Sequence, residues 1–191
     1  MIAAGRRLGM ALALAAAGAA LAAGGANAAI QTPLPEGPEQ CLPGVFGMEA
    51  TSETCAATLA RNGKAVPPPN APAAVKATIA AANRIDHRSY VWGGGHLGFR
   101  SRGYDCSGAV SYALHGGGLL GWPLVSGQLA EWGEAGVGRW ISVYANSEHV
   151  YMVVAGLRYD TRDDPPGVSG PRWHRQMVPA PGFAVRHPSG L

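Results

Sequence analysis

Tyr104-Asp105-Cys106-Ser107-Gly108 runs directly into the apolar stretch Ala109-Val110-Ser111-Tyr112-Ala113-Leu114. The spacing places a lone thiol in the first turn of a helix. There the unpaired backbone N–H groups and the positive end of the helix dipole favour a thiolate over a thiol. A free cysteine has a pKa of roughly 8.5, and such a setting lowers it toward the range of catalytic nucleophiles. The commoner fate of a free cysteine is to fill core space as a small apolar residue. The polar flanks Asp105 and Ser107 and the Gly-rich approach argue for the nucleophile instead.

Around this segment the chain divides into helices first and strands afterwards. The Cys106 helix is expected to end near His115, because Gly116-Gly117-Gly118 cannot sustain it. Upstream, Tyr90-Val91-Trp92-Gly93-Gly94-Gly95-His96 has the glycines needed for tight turns beside that helix. Further back, Val75, Ile79, Ala82 and Ile85 recur at helical spacing after Pro72, which predicts an amphipathic helix over 73–86. Residues 29–72, rich in Pro and small side chains, read as an extended arm with one short helix around Met48 to Leu59, ending at Pro67-Pro68-Pro69.

Downstream, a short helix is expected around Gln128 to Glu134. The pattern then changes to β-branched and aromatic runs at 140–144, 149–154 and 157–161, with Ala155-Gly156 as a turn, a Pro/Gly/Asp loop at 162–171 and a last strand at 183–186. The expected class is α+β, with N-terminal helices packed on a central antiparallel sheet built as a meander.

The first 28 residues read as an export signal. Arg6 and Arg7 precede an apolar run from Leu8 to Ala23, and Ala26-Asn27-Ala28 supplies a small-x-small cleavage pattern. A membrane-spanning helix is the weaker reading, because it needs about 20 strongly apolar residues and this run is shorter and rich in Ala and Gly. Losing the segment removes two arginines and no acids, so the formal charge of +3 falls to +1, and most of the basic balance belongs to the signal. No basic patch with interleaved aromatics remains, which argues against a nucleic-acid partner. After cleavage no stable membrane insertion is expected.

Three cysteines in an exported chain are an odd number. A Cys41–Cys55 disulfide would leave Cys106 as the free thiol, and closing so short a loop stabilises by up to about 3 kcal/mol in the chain-entropy picture.

A nucleophilic thiol needs an imidazole that takes its proton and returns it to the leaving amine. His87 and His96 flank the Tyr90–Gly95 segment, and His174 and His187 sit in polar or Pro-rich contexts. His115 is nine residues on from Cys106, about 13 Å at 1.5 Å per residue, and is too far to partner it. His149 opens a strongly apolar strand that would hold its ring rigidly. If Ala155-Gly156 is a two-residue hairpin turn, residues 149, 151, 158, 160 and 162 share one sheet face, and Asp160 lies diagonal to His149. An aspartate there accepts from the second ring nitrogen and stabilises the imidazolium.

These residues resemble the NlpC-type cell-wall cysteine peptidases, a papain-like family. The likeness rests on Tyr90-Val91-Trp92-Gly93-Gly94, Asp105-Cys106-Ser107-Gly108, His149-Val150 and Asp160, with Ser126-x-Gln128 between helix and sheet. It covers roughly residues 73–161. The resemblance implies hydrolysis of amide bonds in peptidoglycan stem peptides, with Cys106 as nucleophile, His149 as base and Asp160 as the orienting residue. It implies a cleft lined by Tyr90, with Trp92, Asp105 and Ser107 as further substrate-binding positions, and no metal or organic cofactor. The backbone N–H of Cys106 would contribute to oxyanion stabilisation.

Two departures stand out: Gly136-Val137-Gly138-Arg139-Trp140 replaces the family's usual Pro-Gly-Asp, and Asp160 stands where His is usual. The expected organisation is a signal at 1–28, an arm at 29–72 and an NlpC-type catalytic domain at 73–191, a monomer exported to the periplasm or secreted and associated with the wall. A cell-wall binding module of the same fold without activity is the alternative. A thiol-dependent acyl transferase is a third reading.

Overall fold

The computed structural model describes residues 55–162 and 169–191. The export signal, most of the arm, and Cys41 lie outside the described residues. The first described strands, β1 (Thr58–Leu59) and β2 (Ala65–Val66), form a small antiparallel hairpin. This corrects two expectations: residues 58–59 are strand rather than the end of a helix, and this part of the arm is packed into the domain. Ala57, Ala65 and Ala71 belong to the core, and the Ala57 N–H donates to the Ala155 carbonyl at 2.8 Å.

Helix α1 (Ala73–Ile85) starts directly after Pro72 and buries Val75, Ile79, Ala82 and Ile85, the stripe that its spacing predicts. Helix α2 (Cys106–Gly116) packs against it closely. Side chains at Gly116 and Gly117 would run into Ala81 and Thr78, so the small residues of both helices set their separation. The carbonyls ending α2 are capped by the N–H groups of Gly117, Gly118 and Leu119.

Six strands make the main sheet, in the order β3-β8-β4-β5-β6-β7. Strands β4 (Ile141–Ala145), β5 (Val150–Val154), β6 (Leu157–Asp160) and β7 (Arg172–His174) form an antiparallel meander. The last strand, β8 (Ala184–His187), returns to the opposite edge beside β4, and β3 (Glu134–Ala135) pairs outside it. The chain therefore departs from a pure meander. Residues around 134 form an edge strand rather than a helix end, because α3 (Ser126–Leu129) is a single turn. Strand β7 arises where only a loop and a tail were expected: Arg172-Trp173-His174 has no alternation signal of its own and is ordered by pairing with β6.

The register between β5 and β6 sets Val154 opposite Leu157 and Val153 opposite Arg158, as a two-residue turn requires. Both turn residues have positive φ, 45° at Ala155 and 82° at Gly156, the type I′ combination that matches strand twist. One sheet face, with Ile141, Val143, Val150, Met152, Val154 and Tyr159, closes the core against α1 and α2. The other parity carries Tyr144, Tyr151, Arg158 and Asp160. No helix among the described residues is long and apolar enough to cross a membrane.

Candidate active site

Cys106 is the first residue of α2, buried, and a free thiol. Asp105 caps the helix, its Oδ1 accepting from the Gly108 N–H at 2.8 Å while Oδ2 accepts from the Gly93 N–H at 3.0 Å. His96 Nε2 sits 3.0 Å from both carboxylate oxygens and 3.1 Å from Ser107 Oγ, which itself donates to Asp105 Oδ1 at 3.3 Å. One buried carboxylate thus ties the Gly-rich loop to the turn that carries the thiol. Gly108 permits the approach, since a Cβ there would collide with the Gly94 carbonyl. Both Asp105 oxygens and the Ser107 hydroxyl are thus engaged inside the protein, and these two side chains tie the helix start to the loop.

His149 stands one residue before β5, fixed by its backbone: Asn146 Oδ1 accepts from the N–H groups of Glu148 and His149, each at 2.9 Å. Its Nε2–H donates to Asp160 Oδ1 at 2.9 Å. The remaining ring nitrogen, Nδ1, is not engaged by Asp160, and Cys106 lies near enough to the ring to help raise its pKa. Burial of the imidazole pulls its pKa down, but the hydrogen bonds and negative charge of Asp160 and Cys106 outweigh it and push the value up to about 9.

Asp160 is buried at the end of β6. Burial raises its pKa, yet the hydrogen bond and charge of His149, the backbone N–H of Arg162 and the Arg158 guanidinium leave it below the usual carboxylate range. Oδ1 also accepts from the Thr161 N–H at 2.7 Å and the Arg162 N–H at 3.1 Å. Oδ2 faces Arg158 Nε at 3.7 Å.

Tyr90 is half-buried. Desolvation, then the charges of Cys106 and Asp105, raise its phenol pKa, so it stays a hydrogen-bond donor at neutral pH beside the thiol. Trp92, by contrast, is 85% exposed. Beside His149 stand the rings of Tyr151 and Phe183, each 6.4 Å away between centroids, with Tyr144 stacked on Tyr151 at 4.9 Å.

The other imidazoles are engaged elsewhere. His87 Nδ1 bonds Asp86 at 2.8 Å, His115 Nδ1 donates to the Leu120 carbonyl at 2.9 Å, and His187 lies 3.5 Å from Glu134. His174 lies in β7, opposite Arg158. Cys55 is disulfide-bonded, while its expected partner Cys41 lies outside the described residues. Among the described residues no group of three or more His, Cys, Asp or Glu side chains is arranged to hold a metal ion.

The structure therefore brings together Cys106, His149 and Asp160, with Tyr90 beside them. Sequence reasoning did not find the parts played by His96 and Asn146, which hold the loop and the strand start. His96 lies in a glycine-rich stretch with no periodicity, and Asn146 is a turn residue whose signal, an Asx turn, becomes specific only with the hairpin formed.

No family model matches the chain, and no curated protein matches it. Among solved structures it is similar to the peptidoglycan hydrolase RipB from Mycobacterium tuberculosis, at 26% identity over 64% of this chain and 68% of that one, with a TM-score of 0.48. It is also similar to an NlpC/P60 family protein from Bacillus cereus, at 19% identity over 65% of this chain and 42% of that one, with a TM-score of 0.46. A third, RipD from Mycobacterium tuberculosis, is described as a non-catalytic NlpC/p60 domain protein adapted to peptidoglycan binding; identity is 20% over 61% of this chain and 98% of that one, with a TM-score of 0.44. The chain spans less than half the length of the Bacillus cereus protein.

Proposed function

We propose that this chain is an NlpC-type cysteine peptidase, exported and wall-associated, that hydrolyses amide bonds in peptidoglycan stem peptides. The observation that carries the reading is the hydrogen-bonded His149–Asp160 pair set beside Cys106, with the sulfur in the first turn of a helix. The order of motifs along the chain, from Tyr90-Val91-Trp92-Gly93-Gly94 to His149-Val150, supports the family.

In this mechanism the Cys106 proton passes to His149 Nδ1, and Asp160 stabilises the resulting imidazolium through Nε2–H. The thiolate attacks the amide carbonyl carbon and forms the C–S bond. The negative oxygen that develops meets the Cys106 backbone N–H, which has no intrahelical acceptor at the helix start, and the Tyr90 hydroxyl. His149 protonates the amine as the C–N bond breaks, leaving a thioester. It then takes a proton from water, whose oxygen displaces the sulfur and regenerates the thiol.

Asp105, Ser107 and His96 act in this scheme by placing the helix start and the loop, not by touching substrate. Residues 73–191 together with the β1–β2 hairpin would form the catalytic domain. An idle binding module would have no need of a hydrogen-bonded His149–Asp160 pair beside a free thiol, so hydrolysis is preferred over binding alone.

Incubation with purified sacculi tests the proposal. New peptide amines should appear with the wild type and fall to background with Cys106→Ala. Equal release by both proteins would remove Cys106 as nucleophile, and sacculus binding with no release by either would favour the binding module. Products coupled to an added amine would mark a transferase.

A further inference from the structure

At the other end of α2 from Cys106 lies a second concave feature that does not depend on the peptidase reading. A cavity of about 400 Å³ opens there, with Ala81, Phe99 and Gly116 forming its apolar part. That volume lies within the usual range for small-molecule sites, roughly 300–1,000 Å³. Its polar side chains are Arg84, Arg100, Tyr112 and His115, and no carboxylate lines it.

Two of those four groups are permanent cations, and the other two can donate. Neither arginine has an ion pair or side-chain hydrogen bond among the described residues. His115 spends Nδ1 on the Leu120 carbonyl, so Nε2 is the nitrogen it can offer.

The wall is a built one. Phe99 stacks on His115 with centroids 3.7 Å apart and planes within 7°. The Tyr104 hydroxyl, on a buried side chain, donates to the Phe99 carbonyl at 2.9 Å and accepts from the Ser101 N–H at 3.2 Å, pinning the residues on both sides of Arg100.

Two simpler accounts fall short. A cation in the last turn of α1 complements that helix dipole, which explains Arg84 but not Arg100, a loop residue. The C-terminus of α2 brings about half a negative charge toward the cavity, but its carbonyls are capped, and two whole guanidinium charges exceed it.

We propose that this cavity binds an oxyanion, carboxylate or phosphate, carried on a compact apolar or ring-shaped body that lies against Phe99 and Ala81. It would act as an anchoring site at the opposite end of the helix from the thiol.

The test is a titration of the ¹⁵N-labelled full chain followed by NMR, with N-acetyl-D-alanine as the carboxylate arm, glycerol phosphate as the phosphate arm and N-acetylglucosamine as the neutral control. Saturable shifts should centre on Phe99, Arg100, Tyr112 and His115. They should weaken with added NaCl, and the arm that saturates at lower concentration identifies the source. Arg84→Gln/Arg100→Gln should weaken binding about tenfold or more, as expected for two lost charge contacts at a solvated site. The double Lys variant should retain most of the affinity.

No saturable shift in either anionic arm would overturn the proposal. So would equal affinity in the Gln variant, or equal binding of the neutral sugar. Should the double variant lose its native spectrum, Arg100→Gln alone carries the same comparison. Peptidase activity is not read in this experiment, so its outcome is separate from that of the sacculus digestion.

Discussion

His149 has to be both buried and protonated, two demands that oppose each other. Desolvation disfavours the imidazolium, and only a carboxylate on Nε2 and a sulfur on the other side make up for it, holding its pKa at about 9. The imidazolium should therefore persist through neutral pH, with kcat/KM falling on an alkaline limb centred near 9. Asp160→Asn removes the charge, while its amide oxygen keeps the Oδ1 position that the Thr161 and Arg162 N–H groups select. Its alkaline limb should move to lower pH, and kcat/KM should drop on the order of 10²–10⁴-fold. A limb unchanged by the substitution would show that Asp160 does not act through His149.

The same pair makes stability depend on pH. The pKa of His149 in the folded protein lies above the ordinary 6.5, so its contribution is complete below about 6.5 and fades as pH rises through 9. Asp160 is shifted down, so its contribution exists above the ordinary carboxylate pKa and is lost as pH falls through the lower folded value. Melting temperature should decline toward both extremes, and Asp160→Asn should flatten both declines.

Elements hold this chemistry through one close contact. The Gly93–Gly95 loop lies on the first turn of α2, where Asp105 accepts from both sides and Gly108 leaves room for the Gly94 carbonyl. Gly108→Ala would improve helix propensity by up to about 1 kcal/mol in isolation. In the protein its methyl meets a backbone carbonyl that cannot swing aside, so a net loss of about 1–3 kcal/mol is expected in denaturant titrations, with loss of peptidase activity. A stabilised, active Gly108→Ala protein would refute this account of the loop.

At this scale α1, α2, β4, β5 and β6 were legible to within a residue or two, because each carries its own period or a Gly or Pro boundary. The β1–β2 hairpin, β3 and β7 were not. Each is only two or three residues long, and partners far along the chain order it.

Across the whole molecule, Asn83 joins α1 to both the β1–β2 hairpin and the far edge of the sheet. Its Oδ1 accepts from the Trp173 indole at 2.9 Å and the Ala65 N–H at 3.0 Å, while Nδ2 donates to the Ala65 carbonyl at 2.8 Å. Asn83→Ala should destabilise by about 2–4 kcal/mol, because it strands the polar groups of buried Ala65 and Trp173. Chemical denaturation would measure this, and the pH dependence of any remaining activity should keep its wild-type shape. A loss below 1 kcal/mol would mean that water replaces the amide at little cost.

Local pattern alone determined the order of helices and strands, the free thiol at a helix start and the parity that puts residues 149 and 160 on one side of a hairpin. All three follow from periodicity and turn chemistry within a few residues. Tertiary structure alone decided that β8 closes the edge beside β4, that the hairpin before Pro72 joins the core, and that Asp105 and Ser107 turn inward to a loop. Those outcomes depend on which distant groups meet. Hydrogen bonds and close contacts between segments tens of residues apart leave no periodic trace in either segment.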